Sequence, residues 1–115
     1  MNRAHSRDFR IRDFAVAKQV KAIHKFECQV CGVVLEGPAG KYAEGAHIKP
    51  LGRPHNGPEG LSHILCLCPN HHVLFDLGTF AIDDDMSLIG LPGKLQTSKK
   101  HLIDKACLQY RLRSL

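Results

Sequence analysis

Cys28-Gln29-Val30-Cys31 and Cys68-Pro69-Asn70-His71 each set two metal-ligating side chains at the same interval, with two residues between them. That interval lets one turn present both side chains to a single tetrahedral ion, and thiolate with imidazole is the donor mix of a structural zinc site. Any fold that uses it must close the chain so that residue 28 meets residue 71. In 115 residues, enough for one domain with a modest core, such an ion is a large share of what can hold the fold, so folding is expected to depend on metal.

Five cysteines, an odd number, fit metal ligation in a reducing compartment better than a disulfide framework. No apolar stretch is long enough to span a bilayer, and Met1 to Arg12 are polar and basic rather than a secretory core. A soluble, unexported, cytoplasmic chain without membrane contact is the expectation.

A second pair begins one residue after the first set. His72 and Asp76 stand four apart, share a helix face, and could reach another ion on the opposite side of that short helix. Nitrogen with oxygen suits a catalytic divalent ion better than a structural one.

Hydrophobic spacing gives the elements. Phe14, Val16, Ala17, Val20 and Ile23 predict an amphipathic helix over Asp13–Phe26 with Asp13 as its N-cap. Cys28–Gly32 reads as a knuckle, Val33–Leu35 as a short strand, and Glu36–Lys41, with Pro38 and two glycines, as a loop. Tyr42–Pro50 is expected to be a strand carrying His47, Leu51–Gly60 a loop, and Leu61–Leu67 a second strand. Pro69 can open a helix that runs to Leu77 and ends at Gly78. Thr79–Ile82 and Ser87–Leu91 read as a hairpin about the acidic turn Asp83-Asp84-Asp85, taken as solvated rather than metal-binding.

From Ser98 a terminal helix is expected, with Leu102, Ile103, Ala106, Cys107 and Tyr110 as its apolar stripe and Lys99, Lys100, Lys105, Arg111 and Arg113 largely outside it. Cys66, which could compete for zinc, is expected in the core, as is Cys107. His5, His24, His55 and His101 have no partner at ligand spacing and read as surface residues.

Charge is segregated. Residues 1–25 carry seven Lys/Arg against two Asp, residues 94–115 six against one, and the middle three against eight acids. Basic flanks of this kind suit contact with a phosphate backbone, where each neutralised phosphate releases counterions.

Taken in order, Cys28-x2-Cys31, Ala46-His47-Ile48-Lys49-Pro50, Leu67-Cys68-Pro69-Asn70-His71-His72 and Leu74-Phe75-Asp76-x-Gly78 resemble the motif of the HNH endonucleases. The resemblance implies an α+β fold: a small zinc-stabilised ββα-metal (HNH, or His-Me finger) domain with flanking N- and C-terminal helices. It would be a single domain over 1–115, with its motif core at 28–78 and basic helices at about 13–26 and 98–113.

It further implies that His47, on the first strand, is the general base that takes a proton from the attacking water. His72 and Asp76 would hold Mg²⁺ or Mn²⁺, while Cys28, Cys31, Cys68 and His71 hold structural Zn²⁺. The family's usual asparagine, nine residues before the helix histidine, is replaced by His63; Asn56 is the alternative source of that amide. Ala46 stands where many relatives place another metal ligand. Lys49 and Arg53, just past the base, are placed to hold the scissile strand.

The wording around His72 is most similar to HNH modules of restriction enzymes that attack modified DNA. The implied activity is metal-dependent hydrolysis of DNA phosphodiesters, of the restriction and defence kind in its biology, leaving 5′-phosphate and 3′-hydroxyl ends. The implied partners are double-stranded DNA, a DNA-recognition domain or partner protein, and a second copy of the chain. A non-catalytic zinc module that binds nucleic acid, or a structural subunit, remains open on the residues alone.

Overall fold

A computed structural model describes residues 14–49 and 60–114 of the chain. Asp13, Pro50, the expected loop residues 51–59 with Arg53, His55 and Asn56, and His5 lie outside the described residues.

A first helix, α1, covers residues 14–23. The strands that follow are β1 (Leu35–Gly37), β2 (Gly40–Tyr42) and β3 (Glu44–His47). A single 3₁₀ turn, Leu61–His63, leads into β4 (Ile64–Leu67), then α2 (Pro69–Asp76), β5 (Ala81–Ile82), β6 (Leu88–Ile89) and α3 (Lys105–Ser114). The strands form three antiparallel pairs, β1 with β2, β3 with β4 and β5 with β6.

The β3–β4 ribbon is the centre, in register Glu44↔Leu67, Gly45↔Cys66, Ala46↔Leu65 and His47↔Ile64. All of β4 is buried, so both faces of this ribbon are covered and the strand reads as a continuous apolar run. Ile64 and Cys66 pack with Val20 and Ala43 against α1 on one face. Leu65, Leu67, Ala46 and Ile48 join Phe75, Phe80, Cys107 and Leu108 from the following elements on the other. α1 crosses so closely that a Cβ on Gly45 would stand 2.7 Å from the Ala17 methyl. Only glycine admits that crossing.

Several expected boundaries move. Val33–Leu35 gives way to β1 at Leu35–Gly37, and the Glu36–Lys41 loop is the turn of a hairpin in which Gly37 pairs with Gly40. The strand expected over Tyr42–Pro50 is confined to Glu44–His47, and Leu61–Leu67 begins with the 3₁₀ turn before extending. The terminal helix starts at Lys105 rather than Ser98, because Asp104 caps it: its carboxylate accepts from the Ala106 N–H at 2.8 Å. Leu102, assigned to the apolar stripe, is 75% exposed, and Leu108 takes its place in the core.

Two surface assignments also change. His101 is buried and accepts, at Nδ1, a 2.7 Å hydrogen bond from His24 Nε2, while its own Nε2 donates to the Leu61 carbonyl. Arg111 is half-buried rather than outside the helix stripe. The acidic turn is the tip of the β5–β6 hairpin, with Asp85 Oδ1 accepting from the Ser87 N–H. Among the described residues no helix is long and apolar enough to cross a membrane.

Candidate active site and metal centre

Cys28, Cys31, Cys68 and His71 converge, with one ligand atom from each inside a span of 4.8 Å. Cys68 Sγ lies 3.3 Å and Cys28 Sγ 3.8 Å from His71 Nδ1, and Cys31 Sγ is 3.9 Å from Cys68 Sγ. The local fold explains the convergence. Gly32, at φ +77°, turns the knuckle so that its N–H reaches the Cys28 carbonyl at 2.8 Å. Cys68 is the N-cap of α2 and Pro69 its first residue, which places Cys68 and His71 on one turn.

Electrostatics agree with a cation at this place. Burial opposes ionisation of Cys28, yet backbone N–H groups of Cys31, Cys68 and Val30 aimed at its sulfur draw its pKa down. Burial, together with the neighbouring Cys28 and Cys68 sulfurs, pushes Cys31 up to about 11. Crowded thiols of this kind ionise together only around a multiply charged ion. The cluster can hold a metal ion, and its three sulfurs and one nitrogen suit a soft, tetrahedral one. Cys66 is buried in the α1-side core, where burial lifts its thiol to about 12.

Gln29, between the first two ligands, is a fully buried polar hub. Its backbone N–H donates to the Cys66 carbonyl, its side-chain oxygen accepts from the Cys66 N–H, and its amide nitrogen donates to the Gln96 carbonyl, each at 2.8 Å. These bonds fasten the knuckle to β4. A lone amide between two cysteines carries no sequence signal of burial.

One helical step of about 100° turns the chain from His71 to His72, so the second face of α2 adjoins the first rather than opposing it. There His72 Nε2 lies 3.4 Å from Asp76 Oδ2, and His72 Nδ1 donates to Glu44 Oε1 at 2.7 Å. The Tyr42 hydroxyl donates to the other Glu44 oxygen at 2.6 Å. Those donors, Tyr42 first and His72 second, hold the Glu44 carboxyl below the usual carboxylate range. Glu44 therefore fixes the imidazole with Nδ1 protonated, leaving Nε2 and the Asp76 carboxylate as an adjacent nitrogen and oxygen donor pair. Hard divalent ions accept that pair and keep further positions for water or phosphate.

His47 ends β3, opposite Ile64, and is half-buried. Ala46 is fully buried against the core.

Residues 28–83 match a family model described as HNH endonuclease. This segment is an HNH endonuclease domain. Among solved structures the chain is similar to one titled "Modification dependent TagI restriction endonuclease", with 45% identity and a TM-score of 0.85. The match covers 88% of this chain and 37% of that one, so the chain spans well under half the length of that relative. No curated protein matches the chain.

Within the HNH domain, the His63 imidazole is turned toward α3: Nδ1 lies 3.2 Å from Cys107 Sγ and 3.6 Å from Asp104 Oδ2. Its carbonyl accepts from the Ile48 N–H at 2.9 Å, so the His63 backbone is tied to the residue that follows His47. The Lys49 ammonium sits over the Tyr110 ring, 4.2 Å from its centroid. Arg111 is a further residue whose part in the site sequence reading passed over. Its guanidinium stacks 3.8 Å from the centre of Phe75 and donates to the Phe75 carbonyl and, at 3.4 Å, to that of Ile48. Arg111 thus joins the carbonyl of the residue after His47 to the carbonyl of the residue before Asp76.

Proposed function

We propose that the chain is the catalytic domain of a metal-dependent DNA endonuclease of the restriction type. The observation that carries this reading is the hydrogen bond from His72 to Glu44, which pins the metal-binding helix to the strand that bears His47. The two elements an HNH reaction needs are thereby one rigid unit.

His47 accepts the proton of the water that attacks phosphorus, the part an imidazole plays as general base. His72 and Asp76 would hold Mg²⁺ or Mn²⁺, which would supply charge stabilisation at the phosphate. Glu44 holds His72 in the tautomer that frees Nε2, and Arg111 holds the His47 and Asp76 segments at a fixed separation. His63 acts through its backbone, whose carbonyl bond to Ile48 sets the register of the base strand. Cys28, Cys31, Cys68 and His71 would hold Zn²⁺ and so fasten the root of α2 to the knuckle.

Lys49 and Arg53 sit beside the base in sequence and contact the duplex backbone, and the basic flanks add non-specific affinity. A catalytic domain this small has little surface with which to read a long site. A separate recognition domain or partner protein therefore selects the DNA, and modified duplex is the substrate favoured by the solved relative's title. Pairing of two copies would allow both strands to be cut.

The test is incubation of the chain with supercoiled plasmid, modified and unmodified, in Mg²⁺ or Mn²⁺. The expected result is nicked or linear product with 5′-phosphate ends. Salt-sensitive binding without cleavage of any substrate would replace the nuclease by a zinc-containing nucleic-acid-binding module.

A further inference from the structure

A second convergence of ligand side chains lies at the start of α3, sharing no residue with the first. His63 Nδ1, a carboxylate oxygen of Asp104 and Cys107 Sγ fall within 4.8 Å of one another. The separations from His63 Nδ1, 3.2 Å to Cys107 Sγ and 3.6 Å to Asp104 Oδ2, bracket the ligand-to-ligand edge of about 3.4 Å expected around a tetrahedral ion.

The groups around these three side chains orient them as ligands. Ser62 Oγ stands 3.3 Å from His63 Nε2, within reach of its proton in the tautomer whose Nδ1 lone pair faces Cys107 and Asp104. Asp104 Oδ1 is occupied by the N–H groups of Ala106 and Cys107, at 2.8 and 3.4 Å, so Oδ2 is the oxygen left to face His63. The Asp104 N–H donates to the Ser62 carbonyl at 2.9 Å, fixing the start of α3 against the turn that carries His63. Backbone bonds thus preset the site, and the His63 side chain is only 12% exposed.

We propose that His63, Asp104 and Cys107 bind a second transition-metal ion of the zinc class. One nitrogen, one oxygen and one sulfur form a borderline set that favours Zn²⁺ over Mg²⁺ or Ca²⁺, with the fourth position left to water. The ion would clip α3, and with it Arg111, to the 3₁₀ turn that leads into β4. Because the His63 carbonyl also bonds Ile48, the clip lies one residue from His47 along the base strand. This inference concerns metal content and stands whether or not the chain cleaves DNA.

The test is metal stoichiometry of the full chain, reconstituted with Zn²⁺ or Co²⁺ and freed of loosely held ions by gel filtration. The parent should retain two equivalents. Cys107→Ser should retain one, and its Co²⁺ form should lose about a quarter of the thiolate-to-cobalt absorbance, one sulfur among the four that the two clusters contain. Co²⁺ on His72 and Asp76 adds nothing to that band, having no sulfur. Asp104→Asn, which keeps the helix cap, should also retain one equivalent, and decides the matter if Cys107→Ser fails to fold. One equivalent in the parent, or two in a folded variant, would overturn the proposal.

Discussion

Glu44 accepts a 2.7 Å hydrogen bond from His72 Nδ1, so the imidazole presents only Nε2 toward Asp76. Removing the carboxylate charge should leave the fold intact and loosen the ligand. Glu44→Gln is expected to lower metal affinity and turnover by about 10- to 100-fold, with partial recovery at high Mn²⁺. Cleavage titrated against metal concentration checks it; an unchanged titration would remove Glu44 from the site.

The Cys28, Cys31, Cys68 and His71 cluster roots both the knuckle and α2. A structural zinc can be worth on the order of 10 kcal/mol, comparable with the whole stability of a small domain. Cys31→Ser should therefore lose that ion and the cooperative melt together, as read by zinc analysis and circular dichroism. An unchanged melt with unchanged zinc would refute it.

Gln29 holds the same knuckle by hydrogen bonds alone. Gln29→Leu strands the Cys66 N–H and the Gln96 carbonyl in the interior, where an unpaired polar group costs about 1–3 kcal/mol. A loss of about 2–5 kcal/mol in denaturant unfolding is expected, with the zinc ligands all still present.

The His24–His101 pair gives a pH dependence of definite sign. Burial first, and the His101 ring second, pull His24 down to about 4 from its ordinary 6.5. The unfolded chain thus binds more protons between those values. This stabilising contribution is complete above pH 6.5 and is lost as pH falls toward 4. Allowing for solvent screening of a half-exposed ring, the loss is about 1 kcal/mol, or about 4–8 °C in Tm. His24→Gln retains a donor to His101 without titrating, and should flatten this step relative to the parent in melts across that range.

Arg111 couples the two halves of the site through main-chain carbonyls. Arg111→Met should preserve the stacking area on Phe75 but free the Ile48 and Phe75 carbonyls. The expected effect is a fall in kcat of about 10- to 100-fold, as misplacement of reacting groups produces, with a smaller change in KM. Steady-state cleavage of a short duplex separates the two; a pure KM effect would make Arg111 a substrate contact instead.

Much of this architecture is legible in the residues because it rests on local spacing. The paired ligand intervals bring Cys28 to His71, and Pro69 and Gly78 bound α2, whose end is closed by bonds from Gly78 to Phe75 and from Thr79 to Leu74. Residues that act at long range were illegible. Glu44 reads as a polar strand position, Gln29 as filler, and His24 and His101 are 77 residues apart. The β1–β2 hairpin escaped notice because all its positions are exposed, leaving no apolar alternation to follow. Asp104, read as one acid in a basic stretch, sets the true start of α3.

Comparison of the parent with His47→Ala in a supercoiled-plasmid assay with Mg²⁺ or Mn²⁺ tests the central claim most directly. The parent should cut, and the variant should lose turnover by at least about 100-fold, as loss of a general base produces, while keeping its zinc and its DNA affinity. Undiminished cleavage by a folded, zinc-loaded His47→Ala chain would contradict the account.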